Sequence, residues 1–380
     1  NFNLSVGVTD AFMLALDNDA DWDLMFGGQV FKTVKAQKLW EQIASAAHAC
    51  GDPGLVFIDR LQRYNPVPFS LINAVNPCGE MPLSPGESCL LGSINLTRAV
   101  SWMDQSVINV NRLRGTVYDA IRFLDNLIDL AQYPLDYVSQ ATKATRKVGL
   151  GYTGLHDILI MAGLPYDSVK GREYAKRVAK TIQAIAHEAS QELALEKGCF
   201  PQWEQSIFYP NTKRRNATCI TIAPTGSVTT LAGCEGYGIE PIFAVAYKKA
   251  TNVAGDFEVF SPLFLKACRD HGVSEAILEE VARRGTCQDV AGLPEHIAQV
   301  FKGAQDITPE AHILMQSEVQ KYVDNAVSKT INLPSSATVE DIGQCFLTAF
   351  KLGLKGITVF RDGCKQGTVT IGSQEETPEQ

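Results

Sequence analysis

The alternation of long helix-period segments with short apolar runs is the sequence feature that most constrains the fold. Apolar residues that recur every three or four positions predict helices, and short apolar runs bounded by turn residues predict strands. Together they predict an α/β fold. The predicted helices cover residues 34–50, 117–131, 171–197, 274–284, 309–327 and 339–354, and the predicted strands cover residues 54–58, 217–223, 244–247 and 355–360.

Composition narrows the classes of protein to which the chain can belong. A net charge of −8 provides no basic surface for a nucleic acid. No apolar run approaches the length of roughly 18 residues that a membrane helix needs. The ten cysteines have wide, irregular spacing, which fits thiols in a reducing cytosol rather than a disulfide framework. We therefore expect a cytoplasmic globular protein that binds neither nucleic acid nor membrane.

Two stretches rich in Gly, Pro, Ser and Asn, residues 65–95 and 225–241, are predicted to be loops, and functional residues often lie on loops. The polar tail at residues 372–380 has too little apolar surface to fold, which predicts disorder. The chain starts at Asn1 without a Met or a signal sequence, so we expect it to begin within a longer protein.

The first loop contains a compact group of reactive residue types, from Asn76 through Pro77, Cys78 and Gly79 to Glu80. Pro77 and Gly79 favour turns on either side of Cys78. The Cys78 sulfur is therefore predicted at a loop tip, with Asn76 and Glu80 on the same side of it. A thiol in such a place can be a nucleophile, a metal ligand, a redox partner or a hydrogen-atom abstractor.

The neighbours of Cys78 limit these roles. No His lies close in sequence as a nucleophile's base, and no two Cys are separated by two residues as in a zinc site, so no metal is expected. A second thiol follows at Cys89. The simplest alternative is that Cys78 and Cys89 are buried small hydrophobic residues and that Glu80 is a solvated surface acid.

The second loop follows an apolar segment and has the composition of an anion site. Its residues are Pro224, Thr225, Gly226, Ser227 and Val228. Backbone N–H groups at a helix start, together with hydroxyls, can hold a phosphate, and Gly226 allows close approach. The alternative is an ordinary strand-to-helix connection with Ser or Thr as the N-cap.

The run from Gly149 to Gly154 matches the Gly-x-Gly-x-x-Gly pattern of dinucleotide-binding proteins. That pattern binds a dinucleotide only where a strand precedes it and an acidic residue ends the next strand. Neither feature is recognisable in the sequence, so we do not expect a nicotinamide cofactor.

Taken together, these loops and several further segments resemble the catalytic subunit of ribonucleotide reductases. The resemblance implies part of a ten-stranded α/β barrel, namely its later strands, over residues 1–371, with a catalytic finger loop inside it. The segments that carry the resemblance are residues 3–6, 51–59, 76–80, 89–96, 223–227, 238–241, 328–334 and 355–361.

The resemblance also implies a role for each candidate site residue. Cys78 would carry a thiyl radical that removes the 3′-hydrogen of a ribonucleotide, and Glu80 would act as the base at the 3′-hydroxyl. Asn76 would hydrogen-bond the ribose hydroxyls, and Cys89 would be half of the thiol pair that becomes a disulfide. The substrate phosphates would be bound by Pro224, Thr225, Gly226, Ser227 and Val228.

The source of the radical distinguishes the classes of this family. Oxygen-dependent members have two adjacent tyrosines after the Lys of the last strand segment, where this chain has Thr358 and Val359. The glycyl-radical class lacks the Glu of the finger loop. The adenosylcobalamin-dependent class is therefore expected, with a diphosphate or triphosphate substrate. Two alternatives remain: an oxygen-dependent large subunit, or a nucleotide-binding remnant without catalysis.

The resemblance implies partners as well. The thiol that pairs with Cys89 lies upstream of Asn3 in the family, so we expect the chain to need an amino-terminal partner polypeptide. We also expect a thioredoxin or glutaredoxin as reductant, and a homodimer is possible. The catalytic interpretation requires the Cys78 sulfur to be enclosed, close to Glu80, and to face a pocket that the turn at Gly226 closes.

Overall fold

The computed structural model describes residues 3–88, 90–101, 108–249, 257–364 and 369–370. The predictions for Cys89 and for the tail at 372–380 lie outside these residues. The strands are β1 (Ser5–Val8), β2 (Asp21–Phe26), β3 (Gln29–Lys35), β4 (Gly54–Phe57), β5 (Ala74–Val75), β6 (Pro82–Leu83), β7 (Leu91–Asn95), β8 (Gly149–Thr153), β9 (Ala246–Lys249), β10 (Phe257–Phe260), β11 (Thr330–Leu333), β12 (Gly356–Arg361) and β13 (Val369–Thr370). The helices are α1 (Asp10–Asp17), α2 (Ala36–Cys50), α3 (Ile58–Arg63), α4 (Val110–Leu130), α5 (Asp136–Thr145), α6 (Leu155–Met161), α7 (Val169–Lys197), α8 (Gly226–Ala232), α9 (Pro262–Asp270), α10 (Glu275–Arg284), α11 (Glu295–Val300), α12 (Pro309–Gln320) and α13 (Val339–Lys351).

The main sheet is an arc built from two parallel groups of strands. On one side, β7 pairs in parallel with β8, and single parallel bridges join Leu150 to Ile220 and Ile222 to Val327. The segment at Val327 continues into β11, which is parallel to β12. On the other side β12 is antiparallel to β4, which is parallel to β1. This arrangement agrees with part of the expected α/β barrel.

Amphipathic helices cover the outer face of the arc. The long helix α7 begins at the N-cap Ser168, whose side chain accepts a hydrogen bond from the Gly171 N–H, and ends before Gly198. It packs against α4 and α12 around a core that includes Ile182 and the fully buried Tyr152 of β8. Such a helix is stabilised mainly by its buried apolar face.

Two further large cores lie within the described residues. Helices α1, α2 and α13 bury apolar residues against β4, β11 and β12, with Trp40 and Phe346 in edge-to-face contact. A separate lobe made of residues from the 242–301 region packs around Phe264 and Phe301. Over the described residues, no helix is both long enough and apolar enough to cross a membrane.

The predicted helices are confirmed within a few residues at most ends, with one clear correction. The helix predicted over 309–327 ends at Gln320. The chain after it turns back towards the arc, where the Lys355 ammonium donates hydrogen bonds to the carbonyls of Val323, Asp324 and Asn325. A helix through these residues would use the same carbonyl groups internally.

The strand predictions are less accurate. Residues 217–223 form isolated bridges rather than a strand, and the strand expected from Ala244 begins at Ala246. The sequence analysis did not predict the hairpin β2–β3 or the buried strand β8. The prediction of one domain over residues 1–371 stays a prediction.

Candidate functional site

A small hairpin presents the predicted reactive cysteine. Strands β5 and β6 pair in antiparallel register, with Ala74 opposite Leu83. The Asn76 carbonyl accepts the Gly79 N–H at 2.9 Å, and the Asn76 side-chain oxygen accepts the Met81 N–H at 2.9 Å. Gly79 has a φ of 81°, which glycine adopts at little cost. These bonds close the turn and place Cys78 at its tip, which confirms the predicted geometry of the loop.

The hairpin, called the finger from here on, is attached to the centre of the arc at Glu80. The Glu80 backbone carbonyl accepts the Thr221 hydroxyl at 2.7 Å and the Ala326 N–H at 2.9 Å. Thr221 and Ala326 flank the bridge between Ile222 and Val327. The position of the finger is therefore determined by the middle of the sheet.

The Glu80 carboxyl group is buried beneath the fingertip. Glu80 is 1% exposed, and its Oε2 atom has no hydrogen-bond partner among the described residues. Burial raises the pKa of Glu80, and a hydrogen bond with the Asn76 side chain opposes part of this rise. The alternative of a solvated surface acid is therefore wrong. A buried carboxyl with a free oxygen can exchange a proton with a bound hydroxyl.

Cys78 faces a cavity of about 250 Å³. Partial desolvation, followed by the charge of Glu80, raises the pKa of its thiol, so the protonated thiol is the favoured form. The walls come almost entirely from the segments that carry the family resemblance. The lining residues are Asn3–Ser5, Gly51–Asp52, Gly54–Val56, Pro77–Gly79, Pro224, Glu240, Val327–Thr330 and Gly356–Phe360.

One expectation about Cys78 is wrong in this structure. The thiol was expected to be enclosed, but Cys78 is exposed, so the described residues alone do not provide the enclosure that the catalytic interpretation requires. The reason is geometric: the turn before Gly79 makes Cys78 the outermost residue of the finger, and the described walls cover it incompletely. The sulfur is not remote from the phosphate loop, because Pro224, the first residue of that loop, lines the same cavity.

The predicted phosphate loop opens a short helix, as expected. Helix α8 begins at Gly226, and Gly226, Ser227 and Val228 are exposed. Thr225 precedes them with a φ of 60° and makes no side-chain capping bond. The interpretation of the loop as an ordinary hydroxyl N-cap therefore does not apply to Thr225. The backbone N–H groups of the first turn are directed outwards at the helix N-terminus, as an anion site needs.

The hydroxyl of Thr225 has a different role from the one expected. It is buried, and it contacts the hydroxyls of Thr153 and Thr229 at 3.1 and 2.9 Å and accepts the Gly238 N–H at 2.8 Å. This network joins the phosphate loop to the end of β8. Thr225 therefore shapes the loop, and only its backbone is available to a substrate.

An ion pair in the cavity wall was not predicted from the sequence. Glu240 pairs with the Lys329 ammonium at 2.5 Å and accepts the Thr330 N–H at 2.6 Å, which joins the loop after α8 to β11. The Lys329 side chain is fully buried. Both residues lie in segments that carry the family resemblance. Their place in those segments is the sequence signal that could have identified them. Thr358, at the position of the tyrosine pair in other members, also lines the cavity.

The segment before Cys89 is held by a buried ion pair. Glu87 and Lys147 are 2.7 Å apart, with side chains only 4% and 3% exposed. Glu87 also accepts the Thr145 hydroxyl at 2.6 Å and the Ser84 N–H at 2.7 Å. The segment is thus fixed against the end of α5, although the place of Cys89 itself is not described.

No cluster of three or more His, Cys, Asp or Glu residues suited to a metal ion occurs in the described part of the chain. The Gly-x-Gly-x-x-Gly pattern has a structural explanation. Gly149 and Gly151 lie within the buried strand β8, and a Cβ on Gly151 would come within 2.4 Å of the Thr221 carbonyl oxygen. The glycines permit two strands to approach closely and provide no dinucleotide loop.

Comparison with known proteins identifies the family. The family model described as "Ribonucleotide reductase, barrel domain" matches residues 1–213 and 211–360. The chain is 43% identical over 373 residues to a vitamin B12-dependent ribonucleoside-diphosphate reductase of Mycobacterium tuberculosis (strain CDC 1551 / Oshkosh), covering 97% of this chain and 53% of that protein.

A protein of Thermoplasma acidophilum with the same description is 43% identical and covers 99% of this chain and 49% of that protein. The chain therefore spans about half the length of these relatives. Among solved structures, the Actinobacillus ureae class Id ribonucleotide reductase alpha subunit aligns with a TM-score of 0.76 at 24% identity. That alignment covers 95% of this chain and 65% of that one, and it shows that the two chains share a fold.

Proposed function

The chain belongs to the ribonucleotide reductase family, and from this membership we propose that it provides the thiyl-radical site of an adenosylcobalamin-dependent ribonucleotide reductase. Its substrate would be a ribonucleoside diphosphate, as the names of the two relatives suggest. The observation that carries the proposal is the finger itself. A protonated thiol at Cys78 opens into a cavity, and the carboxyl of Glu80, whose charge acts on that thiol, is buried.

The finger residues would divide the chemistry between them. The Cys78 thiyl takes the hydrogen atom from C3′ of the ribose, and Glu80 accepts the proton of the 3′-hydroxyl as the 2′-hydroxyl leaves as water. A pair of thiols, of which Cys89 is one, supplies two electrons and two protons and becomes a disulfide. One of the two thiol protons leaves with the 2′-hydroxyl as water, and the other hydrogen goes to C2′. Glu80 then returns its proton to the 3′-oxygen, and Cys78 returns its hydrogen atom to C3′. The raised pKa of Glu80 suits a group that both accepts and releases a proton.

Asn76 and the loop at the start of α8 would hold the substrate. The Asn76 side chain lies beside Glu80 and can donate to a ribose hydroxyl from the same side as the carboxyl. The exposed N–H groups of Gly226, Ser227 and Val228 would bind the diphosphate, with Pro224 setting the distance from the cavity. Binding at both ends fixes the ribose over Cys78.

Adenosylcobalamin fits the open side of the fingertip. Cys78 is exposed, and a Cβ on Gly79 would meet no atom within 4 Å, so this side of the turn is open. Pro77, Gly79 and Thr358 would contact the cofactor. When bound, it supplies the one-electron oxidation that turns the Cys78 thiol into a radical.

Several partners follow from the proposal. A thioredoxin or glutaredoxin would reduce the disulfide, and an amino-terminal partner polypeptide would cover the exposed thiol. A second copy of the chain would complete a homodimer. The nine described cysteines are all free thiols, which supports the reducing cytoplasm as the place of action.

The decisive experiment replaces the sulfur. We expect Cys78→Ser to lower ribonucleotide reduction at least about 1,000-fold while nucleotide binding is kept, because an alcohol cannot form the radical under these conditions. The matched control is Cys50→Ser, which removes another exposed thiol outside the cavity and should retain activity. The assay contains adenosylcobalamin, a dithiol and the amino-terminal half of a relative.

Four outcomes would contradict parts of the proposal. Equal activity of the Cys78→Ser variant and the wild type would exclude the thiyl role. Nucleotide binding without any reduction by the wild type would indicate the non-catalytic remnant instead. Undiminished activity when adenosylcobalamin is omitted would point to the oxygen-dependent class, and activity without the amino-terminal half would exclude the need for that partner.

A further inference from the structure

Two exposed histidines meet on the lobe built around Phe264, outside the catalytic cavity. His271 directly follows α9, and His296 lies on the first turn of α11. Their Nε2 atoms are 3.1 Å apart, their ring centroids 4.7 Å, and their planes are inclined at 56°. The two rings therefore meet at their Nε2 atoms, although the two residues are 25 positions apart in the sequence.

A second contact fixes the tautomer of His271. Its Nδ1 lies 2.9 Å from the Ala267 carbonyl oxygen, which can only accept, so Nδ1 carries the hydrogen. The His271 Nε2 therefore has a lone pair directed towards His296. A backbone carbonyl that binds the second ring nitrogen is the usual outer partner of a metal-ligating histidine.

We propose that His271 and His296 form a two-histidine site for a borderline divalent transition-metal ion such as Ni²⁺. Two imidazole nitrogens, each about 2.0–2.1 Å from one ion, are about 2.9 Å apart at a right angle and about 3.4 Å apart at the tetrahedral angle. The 3.1 Å between the two Nε2 atoms lies within this range. Imidazole ligands suit Zn²⁺, Cu²⁺ and Ni²⁺.

Binding replaces one hydrogen bond by two coordinate bonds. In the metal-free state one Nε2 donates to the other, and that donor is His296, because the His271 hydrogen is on Nδ1. On metal binding the His296 hydrogen moves to Nδ1, which leaves both Nε2 atoms as ligands. Both residues are exposed, so water can fill the remaining coordination positions.

Neighbouring acids already have partners, so the site consists of the two imidazoles. The Asp270 carboxylate pairs with Lys266 at 2.6 Å, and the Glu295 carboxylate accepts the Gln299 amide at 2.9 Å. A bound ion would join the end of α9 to the start of α11, two helices that pack on the same core. The site would therefore stabilise the lobe when the ion is present.

The test is calorimetric titration of the tag-free full chain with NiCl₂. We expect one equivalent of Ni²⁺ to bind to the wild type, and affinity at that site to fall more than about tenfold in both His271→Gln and His296→Gln. His48→Gln is the matched control, because it removes an imidazole that instead contacts the Ala337 carbonyl oxygen at 2.8 Å. It should bind Ni²⁺ like the wild type.

A structural measurement accompanies the titration. Because both histidines are exposed, the metal-free variants should unfold at nearly the same thermal midpoint as the wild type. Saturating Ni²⁺ should raise the thermal midpoint of the wild type and of His48→Gln but not of the two pair variants. Identical Ni²⁺ binding by the wild type and His271→Gln would overturn the proposal, and so would the absence of Ni²⁺ binding by the wild type.

Discussion

At the scale of single residues, the chemistry of the finger depends on where Glu80 is placed. Its backbone oxygen is held by two bridged segments, at Thr221 and Ala326, and its carboxyl is buried with one oxygen free of described partners. Pro77 and Gly79 predicted the turn, because turn formation is local. The burial of Glu80 could not be predicted, because it depends on Thr221, which is 141 residues away in the sequence.

The raised pKa of Glu80 predicts how stability depends on pH. The folded state favours the protonated carboxyl, so the contribution of Glu80 is fully present below the ordinary pKa of 4.5 and is lost as pH rises through the folded pKa. Glu80→Gln resembles the protonated form at every pH. We expect its stability relative to the wild type to increase with pH, with a slope of at most about 1.4 kcal/mol per pH unit.

Urea unfolding at pH 5, 6, 7 and 8 measures this difference. The exposed Glu41 provides the control, and Glu41→Gln should remain parallel to the wild type. A constant difference between Glu80→Gln and the wild type across this range would contradict the prediction.

The buried pair of Glu87 and Lys147 gives a second prediction at this scale. Lys147→Met leaves the Glu87 carboxylate buried without its cation, and we expect a loss of about 3–5 kcal/mol in the free energy of unfolding. The double variant Lys147→Met/Glu87→Met removes both charges and should recover more than half of that loss. Chemical denaturation of the single and double variants measures both free energies of unfolding. A double variant as unstable as the single one would refute the prediction.

At the scale of elements, periodicity predicted the helices well and the strands poorly. Amphipathic helices such as α7 and α13 display their buried face in the sequence, because each packs one side against neighbouring elements. Strand β8 is buried throughout and has glycine at two of its five positions, so it shows no alternation of apolar and polar residues, and only Tyr152 and Thr153 are strand-favouring residue types. The hairpin β2–β3 did have a signal that the analysis did not use, namely Gly27-Gly28 between two strand-like runs.

The glycines of β8 allow a test of this close packing. Gly151→Ala would place a Cβ 2.4 Å from the Thr221 carbonyl oxygen, so strands must separate, and we expect a loss of more than about 2 kcal/mol. Gly115→Ala is the matched control, since an added Cβ there meets no atom within 4 Å on the exposed face of α4. It should stabilise the protein by about 0.5–1 kcal/mol. Similar unfolding midpoints for the two variants would disprove the packing argument.

At the scale of the whole molecule, buried neutral histidines limit stability in acid. Burial, together with the charge of Lys329, lowers the pKa of His312 to about 2, and burial lowers that of His156 to about 3. Both side chains stay neutral in the folded state, whereas the unfolded chain takes up a proton near pH 6.5. The stabilising contribution of these two neutral histidines is therefore fully present above pH 6.5 and decreases as the pH is lowered.

We expect His312 alone to account for about 2 kcal/mol of the stability lost between pH 8 and pH 5. His312→Gln cannot take up this proton in the unfolded state, so its free energy of unfolding should decline by that much less than the wild type's over the same interval. Urea titrations at the two pH values measure both declines, and equal declines would show that His312 is not the cause.

The attachment of the finger has a mechanical consequence for the molecule. The Thr221 hydroxyl and the Ala326 amide reach one carbonyl oxygen from strand segments that are more than a hundred residues apart in the chain. The reactive sulfur is therefore kept in register by a junction far from it in sequence. If these two segments drift apart during a thermal fluctuation, the fingertip drifts with them, and the proposed radical site is lost while most of the helices are still folded.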